Sequence, residues 1–102
     1  ESHDIGSLRG LLLGGQATPA AVMKFFQERH GVPILTAWGS TECAPLATLT
    51  YIRGDQQDLS VDDTIAIRVR QGIPAPSVER KVLDEDGRPV PWDDTAMGEV
   101  YV

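Results

Sequence analysis

The chain has 102 residues, 41% of them hydrophobic, and a formal net charge of -6. This length supports one modest core, and the acidic balance argues against nucleic acid as a partner. Its apolar runs are too short for a transmembrane segment, and its one cysteine, Cys43, favours a cytoplasmic setting over a disulfide-stabilised secreted one.

The first forty residues predict a strand, a helix and a second strand. The apolar run 11–13 is ended by two glycines and suits a strand that is buried on both faces. A helix follows, with Thr18 as its N-cap, Pro19 as its first helical residue and Gly31 near its end. Residues 32–38 form another short apolar run and predict the second strand.

Two strands that are joined by a helix normally pair in parallel, as a right-handed βαβ unit. Both strands then end at the same edge of the sheet, which is where α/β folds bind ligands. We therefore expect the loops at 14–17 and 38–42 to lie close together.

Beyond residue 45 the pattern of hydrophobic residues predicts secondary structure less clearly. Residues 46–52 suit a strand, whereas residues 60–72 alternate like a strand but also carry helix signals. Ser60 with Asp63 forms an acidic capping pattern and Gly72 is a natural terminator, so we favour a helix there. The remaining residues predict strands that are joined by a hairpin turn at Asp86-Gly87.

The stretch TAWGSTECAP, residues 36–45, follows the second strand and carries the main chemical candidates. Trp38 can stack on a ring, Gly39 permits close backbone approach, Thr41 can bond a phosphate oxygen, and Glu42 can hold a hard divalent cation. These are the parts of a magnesium-nucleotide site. A tight turn with Thr41 capping a short helix and Glu42 near its N-terminus accounts for the same residues, so the composition leaves both interpretations open.

A family resemblance favours the first interpretation. Residues 8–48 closely resemble the middle of the adenylate-forming acyl-CoA synthetases, in which a Gly-Gly turn, a helix and a strand lead into an aromatic-Gly-x-Thr-Glu signature. Residues 70–102 are similar to the family's following segment, which runs from a Gly-x-Pro stretch through strands to Gly-Glu. The Ala-Trp-Gly-x-Thr-Glu form of the signature, with a proline nearby, resembles the medium- and long-chain fatty-acid branch.

The resemblance implies a ligase that uses ATP, Mg2+ and coenzyme A, with a carboxylic acid activated as an acyl-adenylate and then transferred to the coenzyme A thiol. By motif position, Thr41 and Glu42 would be catalytic, and Glu42 would also be the metal ligand. The nucleotide-binding set would be Gly14, Gly15, Gln16, Thr36, Ala37, Trp38, Gly39 and Thr41.

The resemblance also implies an α/β fold, with a strand-helix-strand piece of a parallel sheet followed by a small, mostly-β segment that is part of a distorted barrel. Residues 1–59 would belong to the sheet subdomain, and residues 60–102 would form a linking helix and the start of the small β subdomain. The family's phosphate loop and its C-terminal catalytic lysine have no match in this sequence. We therefore expect an inactive fragment that tends to self-associate.

Two alternatives remain at this point. An adenylation domain for an amino or aryl acid would share the same motifs, because much of the acid pocket lies outside the matched stretch. A free-standing nucleotide-binding or interaction module could keep the turn without the chemistry.

Overall fold

A computed structural model describes residues 3–102 and gives them two helices, six short strands and two 3-10 turns. In chain order these are β1 (Leu11–Leu13), α1 (Ala20–His30), β2 (Ile34–Trp38), a 3-10 turn (Thr41–Cys43), β3 (Thr48–Leu49), a second 3-10 turn (Gly54–Gln56), α2 (Val61–Arg68), β4 (Ile73–Pro74), β5 (Lys81–Leu83) and β6 (Glu99–Tyr101).

The first four strands form one sheet in the order β1-β2-β3-β4. β1 and β2 are parallel, with Leu12 opposite Leu35, as the strand-helix-strand pattern predicts. β2, β3 and β4 are then antiparallel neighbours. The α/β prediction is therefore confirmed, and β2 is the strand at which parallel pairing changes to antiparallel pairing.

Helix α1 begins one residue later than predicted. Pro19 occupies the N-cap position with an extended ψ of 137° and no side-chain cap, so the assignment of Thr18 as N-cap is wrong. The Pro19 carbonyl accepts the first helical hydrogen bonds, from the Val22 and Met23 amides at 3.0 and 3.3 Å. The predicted end is confirmed, because Gly31 follows the helix in the left-handed region with φ of 65°.

Helix α2 confirms the capping pattern in its sequence. The Ser60 hydroxyl oxygen accepts from the Asp63 amide at 3.1 Å and donates to the Asp63 carboxylate at 2.6 Å. The predicted terminator is wrong, since the helix ends at Arg68, well before Gly72. Gly72 has φ of 77°, and a Cβ there would overlap the main chain of Leu49, so tertiary packing explains this glycine.

The core lies between the two helices and the sheet. Its buried members are Met23, Ile34 and Ile65, with Leu11, Phe26 and Val69 packed around them. Two polar contacts also join the helices: Lys24 Nζ lies 2.7 Å from Asp62 Oδ1, and Arg68 Nη1 donates to Gln27 Oε1 at 3.0 Å. The Lys24–Asp62 pair is exposed, so it orients the helices more than it stabilises them.

A second, two-stranded sheet pairs β5 with β6 antiparallel. After β5 the chain turns through residues 84–88 as predicted, and the Asp84 carboxylate accepts from the Asp86 and Arg88 amides at 3.0 and 2.8 Å. The returning arm forms a bridge between Leu83 and Pro89, in which the Asp84 amide donates to the Arg88 carbonyl at 2.8 Å and the Val90 amide donates to the Val82 carbonyl at 3.1 Å. Within residues 3–102 these strands do not close into a barrel.

The length and composition of the two helices decide whether either could cross a membrane. Over residues 3–102, neither helix has the length and the apolar character needed to cross a bilayer.

The proposed division of the chain at residue 60 stays a prediction, although β4, which lies beyond that point, pairs with β3 of the first sheet.

Candidate functional site

The loops that follow β1 and β2 leave the sheet side by side. Leu13, the last residue of β1, is in register with Thr36, which places Gly14 beside Ala37. A Cβ on Gly14 would lie 3.0 Å from the Ala37 carbonyl oxygen, so this glycine lets the first loop run close against β2. The prediction that both loops meet at one edge is confirmed.

The loop after β2 folds back on its own strand. The Ala47 amide donates to the Trp38 carbonyl at 2.9 Å, and a Cβ on Gly39 would overlap the Pro45 carbonyl oxygen and lie 2.9 Å from the Ala47 amide nitrogen. The close approach at Gly39 is therefore made by the protein's own main chain. Between these contacts Thr41–Cys43 form the 3-10 turn, and Ala44 follows in the left-handed region with φ of 52°.

Glu42 presents an exposed carboxylate in this turn. The Ser40 hydroxyl, and then the backbone of Glu42 itself, hold the pKa of this carboxyl below its ordinary value of 4.5 by hydrogen bonding. The Ser40 oxygen also lies 3.5 Å from Cys43 Sγ, but a hydroxyl has one proton and the charged carboxylate is the stronger acceptor. Glu42 is therefore ionised at neutral pH.

Thr36 differs from the other predicted residues, since its side chain is 1% exposed. Its hydroxyl donates to the Arg68 carbonyl at 2.8 Å, and its amide donates to the Thr50 hydroxyl at 2.7 Å. The side chain is committed to α2, and the Thr36 carbonyl accepts from the Thr50 amide and hydroxyl, so the polar groups of Thr36 are all bonded within the protein.

The other predicted residues lie along the edge, and most of them are accessible. Ala37 and Trp38 are half-buried, and the exposed members are Gly14, Gly15, Gln16, Gly39, Thr41 and Glu42. Thr41 is the first residue of the 3-10 turn and Ser40 is at the N-cap position, without a side-chain cap bond. The interpretation of Thr41 as a helix cap is therefore wrong.

Sequence reasoning missed the support for this loop. Ser40 stood at the variable position of the signature, and its hydroxyl bond to Glu42 carries no signal in the sequence. Thr48 and Thr50 are 1% and 2% exposed and tie β3 to β2 and to the residues that end α2. Their alternation in the stretch LATLTYI was the one available signal, because alternate residues of a strand share a face.

Two hollows help to locate a ligand. A cleft of about 250 Å3 opens beside the Gly-Gly turn and is lined by Leu13, Gly14, Gln16, Thr18, Pro19 and Val22. A larger hollow of about 680 Å3 lies in the second sheet, where Asp84, Glu85 and Asp86 would repel a phosphate. Of these two hollows, the one at the edge of the first sheet is the better place for a nucleotide.

The donor set fits a magnesium ion that is held mainly by its substrate. Among residues 3–102 no three His, Cys, Asp or Glu side chains come together as a metal cage. Mg2+ commonly takes one or two carboxylates and completes its shell with phosphate oxygens and water. The single ionised Glu42 carboxylate matches that pattern.

Comparison with known proteins identifies the family of the chain. A family model described as AMP-binding enzyme matches residues 1–102. The chain is 37% identical over 98% of its length to the long-chain-fatty-acid–CoA ligase of Thermus thermophilus and 35% identical over 90% to the medium-chain-fatty-acid–CoA ligase of Ectopseudomonas oleovorans. It covers 18% and 17% of those two proteins.

A solved structure gives a similar result. The crystal structure of an anthranilate CoA ligase in complex with anthranoyl-AMP superposes with a TM-score of 0.67 and 28% identity, over 87% of this chain and 15% of that one. The family match extends through both sheets and includes the two loops that meet beside Gly14 and Ala37. The chain belongs to the AMP-binding enzyme family.

Proposed function

We propose that this chain is part of an AMP-forming acid–CoA ligase that activates a fatty acid. The observation that carries the proposal is the Trp38–Glu42 signature at the end of β2, beside the Gly-Gly turn, with its carboxylate ionised. The fatty-acid relatives support the substrate class. The chain spans about a fifth of their length, so the rest of the machinery would be supplied by a complete protein.

In the proposed reaction, a carboxylate oxygen of the acid attacks the α-phosphorus of ATP, and pyrophosphate leaves with the bond electrons. The thiol of coenzyme A then displaces AMP from the acyl-adenylate. ATP, the acid and coenzyme A are substrates, and Mg2+ offsets the charge on the departing pyrophosphate. Nucleic acid has no place in this scheme, and we propose a cytoplasmic setting because the substrates are metabolites of that compartment.

Each residue along the edge has a proposed task. Trp38 packs against the adenine ring and Thr41 donates to a phosphate oxygen. Glu42 holds Mg2+, and hydrogen bonding by Ser40 holds the pKa of its carboxyl below the ordinary value. Gly14, Gly15, Gln16, Ala37 and Gly39 line the nucleotide chiefly through their main chain, and the buried Thr36 supports β2 beneath them.

The test uses the complete protein that carries this chain, with ATP–pyrophosphate exchange as the readout of adenylation. Glu42→Gln keeps the size of the side chain and removes its charge, so we expect at least about a tenfold weaker response to Mg2+. Glu85→Gln, an exposed carboxylate in the 84–88 turn, is the matched control and should exchange like the unaltered enzyme. Normal exchange by Glu42→Gln at limiting Mg2+ means that Glu42 is not the metal ligand.

An aryl acid is the second candidate substrate, because the superposed structure is that of an anthranilate CoA ligase. A screen of fatty acids of increasing length beside benzoate and anthranilate, with pyrophosphate release measured, separates the two candidates. Faster turnover of an aryl acid than of every fatty acid would overturn the proposed substrate class.

A further inference from the structure

Three buried threonines connect the nucleotide edge to α2. Thr36, Thr48 and Thr50 are each at most 2% exposed, and β2 and β3 place them on neighbouring strands. Buried hydroxyls need partners, and all three have them.

Thr50 holds the main chain of Thr36 at three points. Its amide donates to the Thr36 carbonyl at 2.9 Å, its hydroxyl donates to the same carbonyl at 3.1 Å, and its hydroxyl oxygen accepts from the Thr36 amide at 2.7 Å. The hydroxyl thus stands where an ordinary antiparallel ladder would place a main-chain carbonyl. Loss of this hydroxyl would leave the Thr36 amide buried without that acceptor.

The other two hydroxyls bond to the end of α2 and to the segment that follows it. Thr36 donates to the carbonyl of Arg68, the last residue of the helix, and Thr48 donates to the carbonyl of Gln71, three residues further on. The last carbonyls of a helix have no partner within it, so the Thr36 side chain satisfies the one at Arg68. The Arg68 side chain also donates a hydrogen bond to Gln27 of α1. The helix end that Thr36 contacts is therefore held by the other helix as well.

The connection ends two residues before the proposed adenine contact. Thr36 precedes Ala37 and Trp38, and Trp38 is in register with Thr48. A shift of β2 along the sheet would therefore displace Trp38 together with the Gly39–Glu42 turn. Displacement by about 1 Å can cost as much as a hundredfold in a reaction that depends on positioning.

We propose that Thr48 and Thr50 are positioning residues for the nucleotide: the Thr50 hydroxyl holds the main chain of β2 at Thr36, the Thr48 hydroxyl holds β3 to the segment that follows α2, and together they set the place of Trp38 and the turn that follows it. The proposal rests on the proposed function. It predicts that loss of either hydroxyl raises the KM for ATP and leaves the KM for the acid nearly unchanged.

The test measures adenylation by the complete protein, with the KM for ATP and the KM for the acid determined separately and the rate referred to the fraction of active sites. Thr50→Val keeps the shape of the side chain and removes the hydroxyl. We expect the KM for ATP to rise about tenfold while the KM for the acid changes less than about twofold. Thr50→Ser retains the hydroxyl and should restore the KM for ATP.

Thr64→Val is the matched control, since Thr64 lies on α2 outside the three-threonine connection. It should leave both constants unchanged. If Thr50→Val fails to fold, Thr48→Val should show the same rise in the KM for ATP, because it loses the bond to Gln71.

The outcomes separate the two proposals. An inactive unaltered enzyme would overturn the proposed function and this inference with it. An active enzyme in which the hydroxyl-lacking variants lose stability or active fraction, with the KM for ATP unchanged, would overturn only the positioning role. A rise in the KM for ATP that Thr50→Ser does not reverse would also count against it.

Discussion

Gly39→Ala is the substitution for which the structure makes the sharpest prediction. The added Cβ would overlap the Pro45 carbonyl oxygen and lie 2.8 Å from the Pro45 carbonyl carbon and 2.9 Å from the Ala47 amide nitrogen. All three atoms belong to the main chain, so no side-chain rotation can relieve the overlap. The two chain segments must move apart instead.

The expected loss of stability follows from these contacts. Overpacking of this kind costs about 1–3 kcal/mol. The movement also breaks the 2.9 Å hydrogen bond from the Ala47 amide to the Trp38 carbonyl. Because Ala47 is 0% exposed, leaving this amide without a partner costs about 1–3 kcal/mol more. Together they give about 2–6 kcal/mol, which lowers the urea midpoint of the transition that unfolds this segment.

The assay is urea unfolding of the complete protein, followed by circular dichroism and by tryptophan fluorescence. Gly54→Ala is the matched control: nothing lies within 4 Å of a Cβ built there, and its φ is not in the left-handed region. Its free energy of unfolding should stay within about 0.5 kcal/mol of that of the unaltered protein. If Gly39→Ala unfolds at the same urea concentration as Gly54→Ala, the tight loop described above is wrong.

Three further predictions follow from the same structure. Ser40→Ala removes the main donor to Glu42, so the pKa of that carboxyl should rise toward 4.5; a titration followed by carboxyl carbon NMR in which it does not move would contradict the assignment. The bond to Asp62 raises the pKa of Lys24 above 10.5, so the stabilising effect of this pair is fully present below pH 10.5 and is lost as pH rises through the higher folded value. The melting temperature of the unaltered protein minus that of Lys24→Gln should therefore be constant from neutral pH to pH 10.5 and shrink above it, and a difference that persists at higher pH would exclude the pair. The 102-residue chain alone exposes apolar side chains such as Phe25, at 51%, and should self-associate, so a concentration-independent monomer in sedimentation would contradict this expectation.

The parts of the fold that were predicted correctly depend on signals within a few neighbouring residues. The Ser60–Asp63 cap, the stop at Gly31 and the turn at 84–88 are local patterns, and each is present in the structure. The apolar runs 11–13 and 32–38 likewise predicted a parallel pair, because their separation leaves room for one helix.

The errors arise where distant residues decide the geometry. Gly72 was interpreted as a helix terminator, but it is required by the approach of Leu49. The strand predicted over 46–52 is only Thr48–Leu49, because the Thr50 hydroxyl takes the next ladder position. Neither contact has a signal in the adjacent sequence.

The candidate site was likewise predicted only in part from local sequence. Its location at the edge of the sheet followed from the order of the elements, whereas the task of each residue came from the family resemblance. The residues alone could not choose between a nucleotide site and a capped turn around Glu42. The support that Ser40 gives to that carboxylate emerged only from the folded geometry.

The path between β3 and β4 has a consequence for how this family can diverge. These strands are antiparallel neighbours, with Thr48 opposite Pro74, yet residues 50–72 leave the sheet to form α2 before returning. The entropy cost of a longer connection between fixed ends grows only slowly with its length. Insertions and deletions among relatives should therefore gather in residues 51–60, while residues 68–72, whose carbonyls and glycine are held by the sheet, should keep a fixed length. An alignment that placed its gaps in the second interval would shift α2 out of register while leaving the later strands aligned.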